Sequence, residues 1–345
     1  MNTLHELTRR SERRSTTKAF SRFNLTLTIC LAAALGFVAP VKAENERRGP
    51  PIVTHLVSGL GPLFGTTVGP DGMLYVCELT TGSILEVDPE TGDVSTFATG
   101  LPTNTGIGGP YDVTFVGNTA YVLETLVDPF VGGNSIDGIY RIDGPNSFTV
   151  IADIGQFALE HPPIPPYFVP TGVQFAMQVV PSGFLVTDGH HNRVYHVTFD
   201  GEVSELIAFD NIVPTGLDIL DNTIYMAEAG PVPHLRRDGK IIAFEENSPE
   251  PTEVASGGPL LVDVEFAPGL RHPLYALAQG RFPRGGAPGD PALPNTGELM
   301  MANANGNQLT PVVLHLDRPT SLDFIGHAAY VVGLGGDIWK VENGF

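Results

Sequence analysis

The chain has 345 residues with 17% charged side chains, 40 glycines and 30 prolines. That is the composition of short strands and tight turns, and it excludes a helical bundle or a long coiled coil. Beyond residue 43 there are 12 Lys and Arg against 36 Asp and Glu, a formal charge of about −24, which disfavours nucleic acid and anionic lipid as partners.

The first element is a basic leader. Arg9, Arg10, Arg13, Arg14, Lys18 and Arg22 stand against only Glu6 and Glu12, and the apolar run "FNLTLTICLAAALGFVAP" follows. Val41-Lys42-Ala43 then supplies a small-residue cleavage pattern. Residues 1–43 read as a secretory signal peptide, 44–51 as a short linker and 52–345 as the folded domain. The apolar run is short for a membrane span and no other stretch qualifies, so none is expected in the mature chain. Arg13-Arg14 leaves Sec and twin-arginine export both open. The expected destination is the periplasm or the medium. Ile29 before Cys30 is too large for a lipoprotein cleavage site. Past the leader the one cysteine is Cys77, so no intramolecular disulfide forms and the core alone must hold the fold.

The next element, "PIVTHLVSGL" (51–60), is a lone strand with no partners beside it in sequence. After it one unit recurs six times. Its first copy is "GPDGMLYVCELTTGSILEVDPETGDVSTFATGL" (69–101), which reads as turn, strand, turn, strand, turn, strand. The later copies begin at "YDVTFVGNTAYVLE", "FAMQVVPSGFLVTD", "GLDILDNTIYMAE", "LVDVEFAPGLRHPLYALAQ" and "SLDFIGHAAYVVG". The last copy stops after "GDIWKVENGF", one strand short. The 51–60 strand matches the missing outermost strand. This pattern predicts an all-β, six-bladed β-propeller whose N-terminal strand completes the last blade.

Within each blade the strands run A to D from the axis outward. The A–B and C–D turns are short. The B–C and D–A connections hold the insertions: 126–137, 155–172, 229–239 and 280–297. All four are expected on one face, which marks that face for binding. They carry Phe130, Phe157, Tyr167, Phe168 and Phe282. They also carry Arg236, Arg237, Arg281 and Arg284, which could clamp an anionic ligand or stay solvated.

The stretch "LVTDGHHNRVYHV" (185–197) places "GHHN" at a B–C turn. Read as a plain turn, Gly189 and Asn192 take unusual dihedrals and the histidines are exposed. Read functionally, His190 or His191 leans over the channel mouth as a catalytic candidate. His196 sits within strand C as a packed or edge histidine.

Acids repeat as well. Asp112, Asp218, Asp263 and Asp323 stand near the starts of A strands, with Thr66 at the matching place in the first blade. Such a ring could bind a hard cation, calcium above all, through scattered oxygen ligands. Equally, each acid could accept backbone N–H groups from the next blade and lock the ring. Glu78, Glu124, Asp188 and Glu228 end B strands on the same face and are ligand-binding candidates with Arg236, Arg281 and Phe282. No P-loop, G-x-S-x-G, H-E-x-x-H or C-x-x-C pattern occurs.

"GPYDVTFVGNTAYV", "IADIGQFALEHPP" and "PSGFLVTDGHHNRV" together resemble the ScyD/ScyE family of exported six-bladed propellers, over most of residues 52–345. There the second blade reads G-P-x-D-V and a short helix-like A-D-x-x-x-[FY] segment precedes the third. "DGHHN" departs from the family, where small residues and glycine are commoner. More distantly the unit is similar to NHL repeats and to SMP-30/gluconolactonase-like propellers. The resemblance implies the fold and export, and no catalytic residues. Two functions stay open. One is a monomeric scaffold that grips a small molecule, glycan or protein on its long-loop face. The other is a calcium-dependent lactonase or esterase at the channel mouth. For the second, an expected Asn ligand is missing from the inner strand starts.

Overall fold

The structure, a computed structural model, describes residues 49–303 and 307–345. The leader and its reading as an export signal lie outside the described residues. The described chain forms six four-stranded sheets. Strand β1 (Ile52–Val57) comes first. Blade 1 is β2 (Leu63–Val68), β3 (Leu74–Glu78), β4 (Ser83–Val87) and β5 (Val94–Ala98). Blade 2 is β6 (Gly109–Val116), β7 (Thr119–Thr125), β8 (Gly138–Gly144) and β9 (Ser147–Asp153). Blade 3 is β10 (Gln174–Val180), β11 (Gly183–Asp188), β12 (Arg193–Thr198) and β13 (Val203–Ala208). Blade 4 is β14 (Pro214–Leu220), β15 (Thr223–Glu228), β16 (Lys240–Glu245) and β17 (Ser248–Ser256). Blade 5 is β18 (Leu261–Phe266), β19 (Leu274–Ala278), β20 (Gly297–Ala302) and β21 (Leu309–Leu316).

Blade 6 has β22 (Pro319–Ile325), β23 (Ala328–Gly333) and β24 (Ile338–Glu342), and its outer strand is β1, antiparallel to β24 with Ile52 opposite Glu342 and Thr54 opposite Lys340. The six-bladed propeller and its N-terminal closure are as the repeats predict. Each inner strand touches the inner strand of the next blade, and β22 returns to β2.

The strand sequences explain the layering. Middle strands such as "LYVCE", "LYALA" and "AAYVVG" are near-continuous apolar runs because blades cover both of their faces. Outer strands such as "VSTFA" are largely exposed. Neighbouring blades are joined by a repeated aromatic contact. Tyr75 packs edge-on to Phe115 at 4.8 Å, Tyr225 to Phe266 at 4.8 Å, and Tyr275 meets Phe324 at 5.3 Å. In each pair a B-strand tyrosine meets a phenylalanine at or one residue before the end of the next blade's A strand.

The long connections fall as expected. Residues 126–137, 229–239 and 280–297 join B to C strands, and 155–172 joins β9 to β10, so all four emerge on one face. The last holds the one α-helix of the described residues, α1 (Ile154–Glu160). It is capped by Asp153, which accepts from Gln156 N at 2.7 Å. This is the helix-like "A-D-x-x-x-F" segment. Among the described residues no helix is long and apolar enough to cross a membrane.

Candidate functional site: the channel and the long-loop face

All six A strands carry a β-bulge at the same place, just inside the long-loop face. The first residues in the bulges are Phe64, Tyr111, Phe175, Thr215, Val262 and Thr320. A bulge shifts the register and re-aims the side chains that follow. The mouth is therefore lopsided. Phe64 and Tyr111 lie 4.2 Å apart, Tyr111 and Phe175 6.4 Å apart, and these rings line blades 1–3. Blades 4–6 offer only Thr215, Val262 and Thr320 there.

The bulge also corrects the expected acid ring, which is two tiers and not one. Asp112 and Asp263 follow the bulge directly, opposite Leu123 and Leu277. Asp218 and Asp323 lie one pleat deeper, opposite Tyr225 and Tyr330. The blade 1 equivalents are Gly65 in the upper tier and Thr67, opposite Tyr75, in the lower one, not Thr66. The lower tier gains Glu265, opposite Tyr275, which the sequence reading missed. Its signal was there: it stands two residues after Asp263, on the same side of the strand. The lower tier is acidic in blades 4–6 and neutral in blades 1–3, where Thr67, Thr114 and Gln178 stand.

The upper acids lock blades together. Asp112 accepts from Met177 N of blade 3 at 2.7 Å, and Asp263 from Leu322 N of blade 6 at 2.8 Å and Ser321 Oγ at 2.9 Å. Asp218 does the same toward blade 5, accepting from Phe266 N at 2.9 Å. Asp323 Oδ2 has no hydrogen-bond partner among the described residues. Asp112, Asp263, Glu265 and Asp323 line a polar cavity of about 150 Å³ with Thr66, Thr114 and Gln178.

Burial dominates their titration. It pushes Asp112 up to about 8 and Asp263 up to about 7, against the backbone N–H groups that pull both down. Asp218 is raised for the same reason. Glu265 and Asp323 are pushed well above the carboxylate range, first by burial and then by the other channel acids.

The B-strand acids do not converge. Glu78 accepts from Gly61 N at 2.7 Å and also binds the Thr81 hydroxyl. Glu124 is fully buried with neither oxygen paired among the described residues, and burial first, then Asp137, holds it well above its ordinary range. Glu228 is raised to about 7 by burial, opposed by Lys240. Arg236 and Phe282 tie loops to the body. Arg236 pairs with Glu298 and reaches Gly257 O at 2.9 Å, and Phe282 packs edge-on to His234 at 5.0 Å. Arg281 is exposed, and its backbone N–H binds Thr296 Oγ1 at 2.8 Å. Among the described residues no group of three or more His, Cys, Asp or Glu is arranged to hold a metal.

The "GHHN" turn differs from the plain-turn reading. Asn192 has φ 57° as expected, but Gly189 stays out of the left-handed region and is small because Pro214 O would sit 3.0 Å from a Cβ there. His191 is buried and His190 partly so. Asp188 organises the turn, its Oδ1 accepting from Val173 N, His190 N and His191 N at 3.0, 3.1 and 2.9 Å. Its Oδ2 takes Tyr195 Oη–H at 2.9 Å. His191 Nε2–H donates to Val169 O at 2.9 Å, and its Nδ1 accepts from Arg193 at 3.0 Å. The Nδ1–Asp188 approach of 3.3 Å is therefore a contact between lone pairs and not an ion pair. His196, on β12, binds Ser182 Oγ at 2.8 Å, a packed histidine as expected.

No family model and no curated protein matches the chain. Solved structures do match in fold. A gluconolactonase from Xanthomonas campestris is 14% identical, with a TM-score of 0.58 over 86% of this chain and 91% of that one. A virginiamycin B lyase from Staphylococcus aureus is 15% identical, with a TM-score of 0.52 over 85% and 98%. A chain of a nidogen/laminin complex is 15% identical, with a TM-score of 0.51 over 76% and 84%. At these identities the likeness is one of fold. The chain shares its propeller fold with these structures.

Proposed function

We propose that this chain belongs to the ScyD/ScyE family of exported propellers. In this reading it is a monomeric scaffold of the periplasm or medium that grips a small molecule, glycan or protein on its long-loop face. The observation that carries the reading is the placement of exposed apolar side chains. Phe130 is 61% exposed, Phe168 72% and Ile164 98%, all on long insertions of one face. Exposed large apolar groups gathered on inserted loops mark an interaction surface. Asp112, Asp218 and Asp263 meanwhile each spend one oxygen on a neighbouring blade.

The test is a thermal-shift screen of the purified chain against glycans and small metabolites. A hit should be lost in the Phe130→Ser/Phe168→Ser double variant and kept in Leu270→Ser, whose side chain is fully exposed on the opposite face. A hit lost equally in both overturns the reading, as does a screen with none. The calcium-dependent lactonase or esterase reading rests on the acidic side of the cavity and the gluconolactonase neighbour. Calcium calorimetry on the parent, Asp218→Asn and Asp263→Asn separates it, since that reading needs one tight site lost in both variants.

A further inference from the structure

Two adjacent imidazoles hold one backbone residue. His190 Nε2 accepts the Val169 N–H at 3.1 Å, and His191 Nε2–H donates to Val169 O at 2.9 Å. His190 thus satisfies the Val169 N–H, and His191 shares the Val169 carbonyl with the Gly172 N–H, which donates to it at 3.1 Å within the segment. Val169 lies in the middle of the 161–172 segment. That segment is tied at its start, where Arg193 donates to His161 O at 2.8 Å, and at its end, where Thr171 donates to Asp128 at 2.7 Å. Among the described residues only Asn192, donating to Tyr167 Oη at 3.0 Å, adds a further side-chain bond between those ties. Phe168 packs edge-on to His190 at 4.4 Å and Tyr167 at 5.2 Å.

We propose that the His190–His191 pair is a pH-operated latch that holds the 161–172 segment against blade 3 and releases it on acidification. The two hands are not equivalent. A proton on His191 Nδ1 displaces the Arg193 bond but finds Asp188 Oδ2 at 3.3 Å. A proton on His190 Nε2 sets two donors face to face, the new N–H against the Val169 N–H, and the bond is lost. His190 is thus the titrating hand. The groups around the pair are Asp188, which favours its protonation, Arg193, which opposes it at His191, and the phenols of Tyr167 and Tyr195. Arg193 is itself held by Glu205 at 3.1 Å. Burial, the larger influence, lowers both histidines from the ordinary value of 6.5. The sign follows: the latch is fully closed above that value and loosens as pH falls below it.

Hydrogen exchange on the whole chain tests this. After correction for intrinsic rate, protection of the peptide spanning Val169 should fall about tenfold per pH unit below 6.5 for the one proton taken up. Peptides from β11 and β12 should keep theirs. His190→Gln retains an acceptor for the Val169 N–H and cannot titrate, so its protection should be flat with pH. Unchanged protection in the parent between pH 7.5 and 5 overturns the latch, as does the same fall in His190→Gln. If that variant fails to fold, the parent profile still decides. Any effect on ligand capture rests on the long-loop-face reading. A segment that opens in a protein binding nothing leaves the latch standing and removes that reading.

Discussion

An added Cβ at Gly65 would lie 2.2 Å from Asp112 Oδ1 and 2.6 Å from Asp112 Cα, and one at Gly216 would lie 2.1 Å from Asp263 Oδ1. Each upper-tier acid thus has a glycine in the preceding blade that makes room for it and a backbone donor in the following blade that holds it. Blades 1–3 and 4–6 repeat this arrangement. Gly65→Ala must push on main chain as well as a carboxylate, so it should cost about 1–3 kcal/mol of unfolding free energy, read by denaturant titration. Gly72→Ala, unlike Gly65→Ala, sits at positive φ and meets nothing within 4 Å, so the two separate backbone strain from crowding. The acids themselves were legible in the sequence because the repeat aligns them. Their glycine partners were not, because the contact joins residues of different blades. Glu265 escaped for a related reason, since a bulge precedes it and repeat alignment hides the shift.

At the scale of the element, the ring's closure was legible and its bulges were not. The 51–60 strand stood out because one copy lacked a strand and one strand lacked a copy. A bulge leaves no such mark, since one extra residue in an apolar strand changes neither its composition nor its length by much. The closure carries a prediction. β1 covers β24 from Ile52 to Val57, and its own outer side is partly exposed. Deleting residues 49–57 uncovers the backbone groups of β24 that face it, next to the buried Ile338 and Val341. The truncated chain should melt at lower temperature and self-associate, seen in light scattering against the full-length protein. A truncated chain as stable and monodisperse as the parent would show that β1 adds little to closure. The "GHHN" turn belongs to this scale too. Its position between β11 and β12 followed from the strand pattern, whereas its work on Val169 depends on how an inserted loop folds back over it.

For the whole molecule the channel sets the response to pH. Asp112 and Asp263 ordinarily titrate at 3.8, and in the folded ring burial raises them to about 8 and about 7. The folded state therefore keeps protons that the unfolded chain has released. A raised carboxyl stabilises the fold fully below its unfolded value, and that contribution is lost as pH rises through its folded value. The channel should thus make the propeller less stable from pH 6.5 to 8.5, by up to about 1.4 kcal/mol per pH unit for each proton retained. The His190 latch works in the opposite sense and only below that window, so the two do not cancel there. Calorimetric melting across the window should show a falling Tm. Asp112→Asn cannot titrate and keeps an oxygen for the Met177 N–H, so it should flatten part of that fall. A Tm that holds level or rises from pH 6.5 to 8.5 would mean that the channel acids are ionised at neutral pH. Their charge would then have to be balanced by a bound cation, and added calcium should raise the Tm most at the alkaline end.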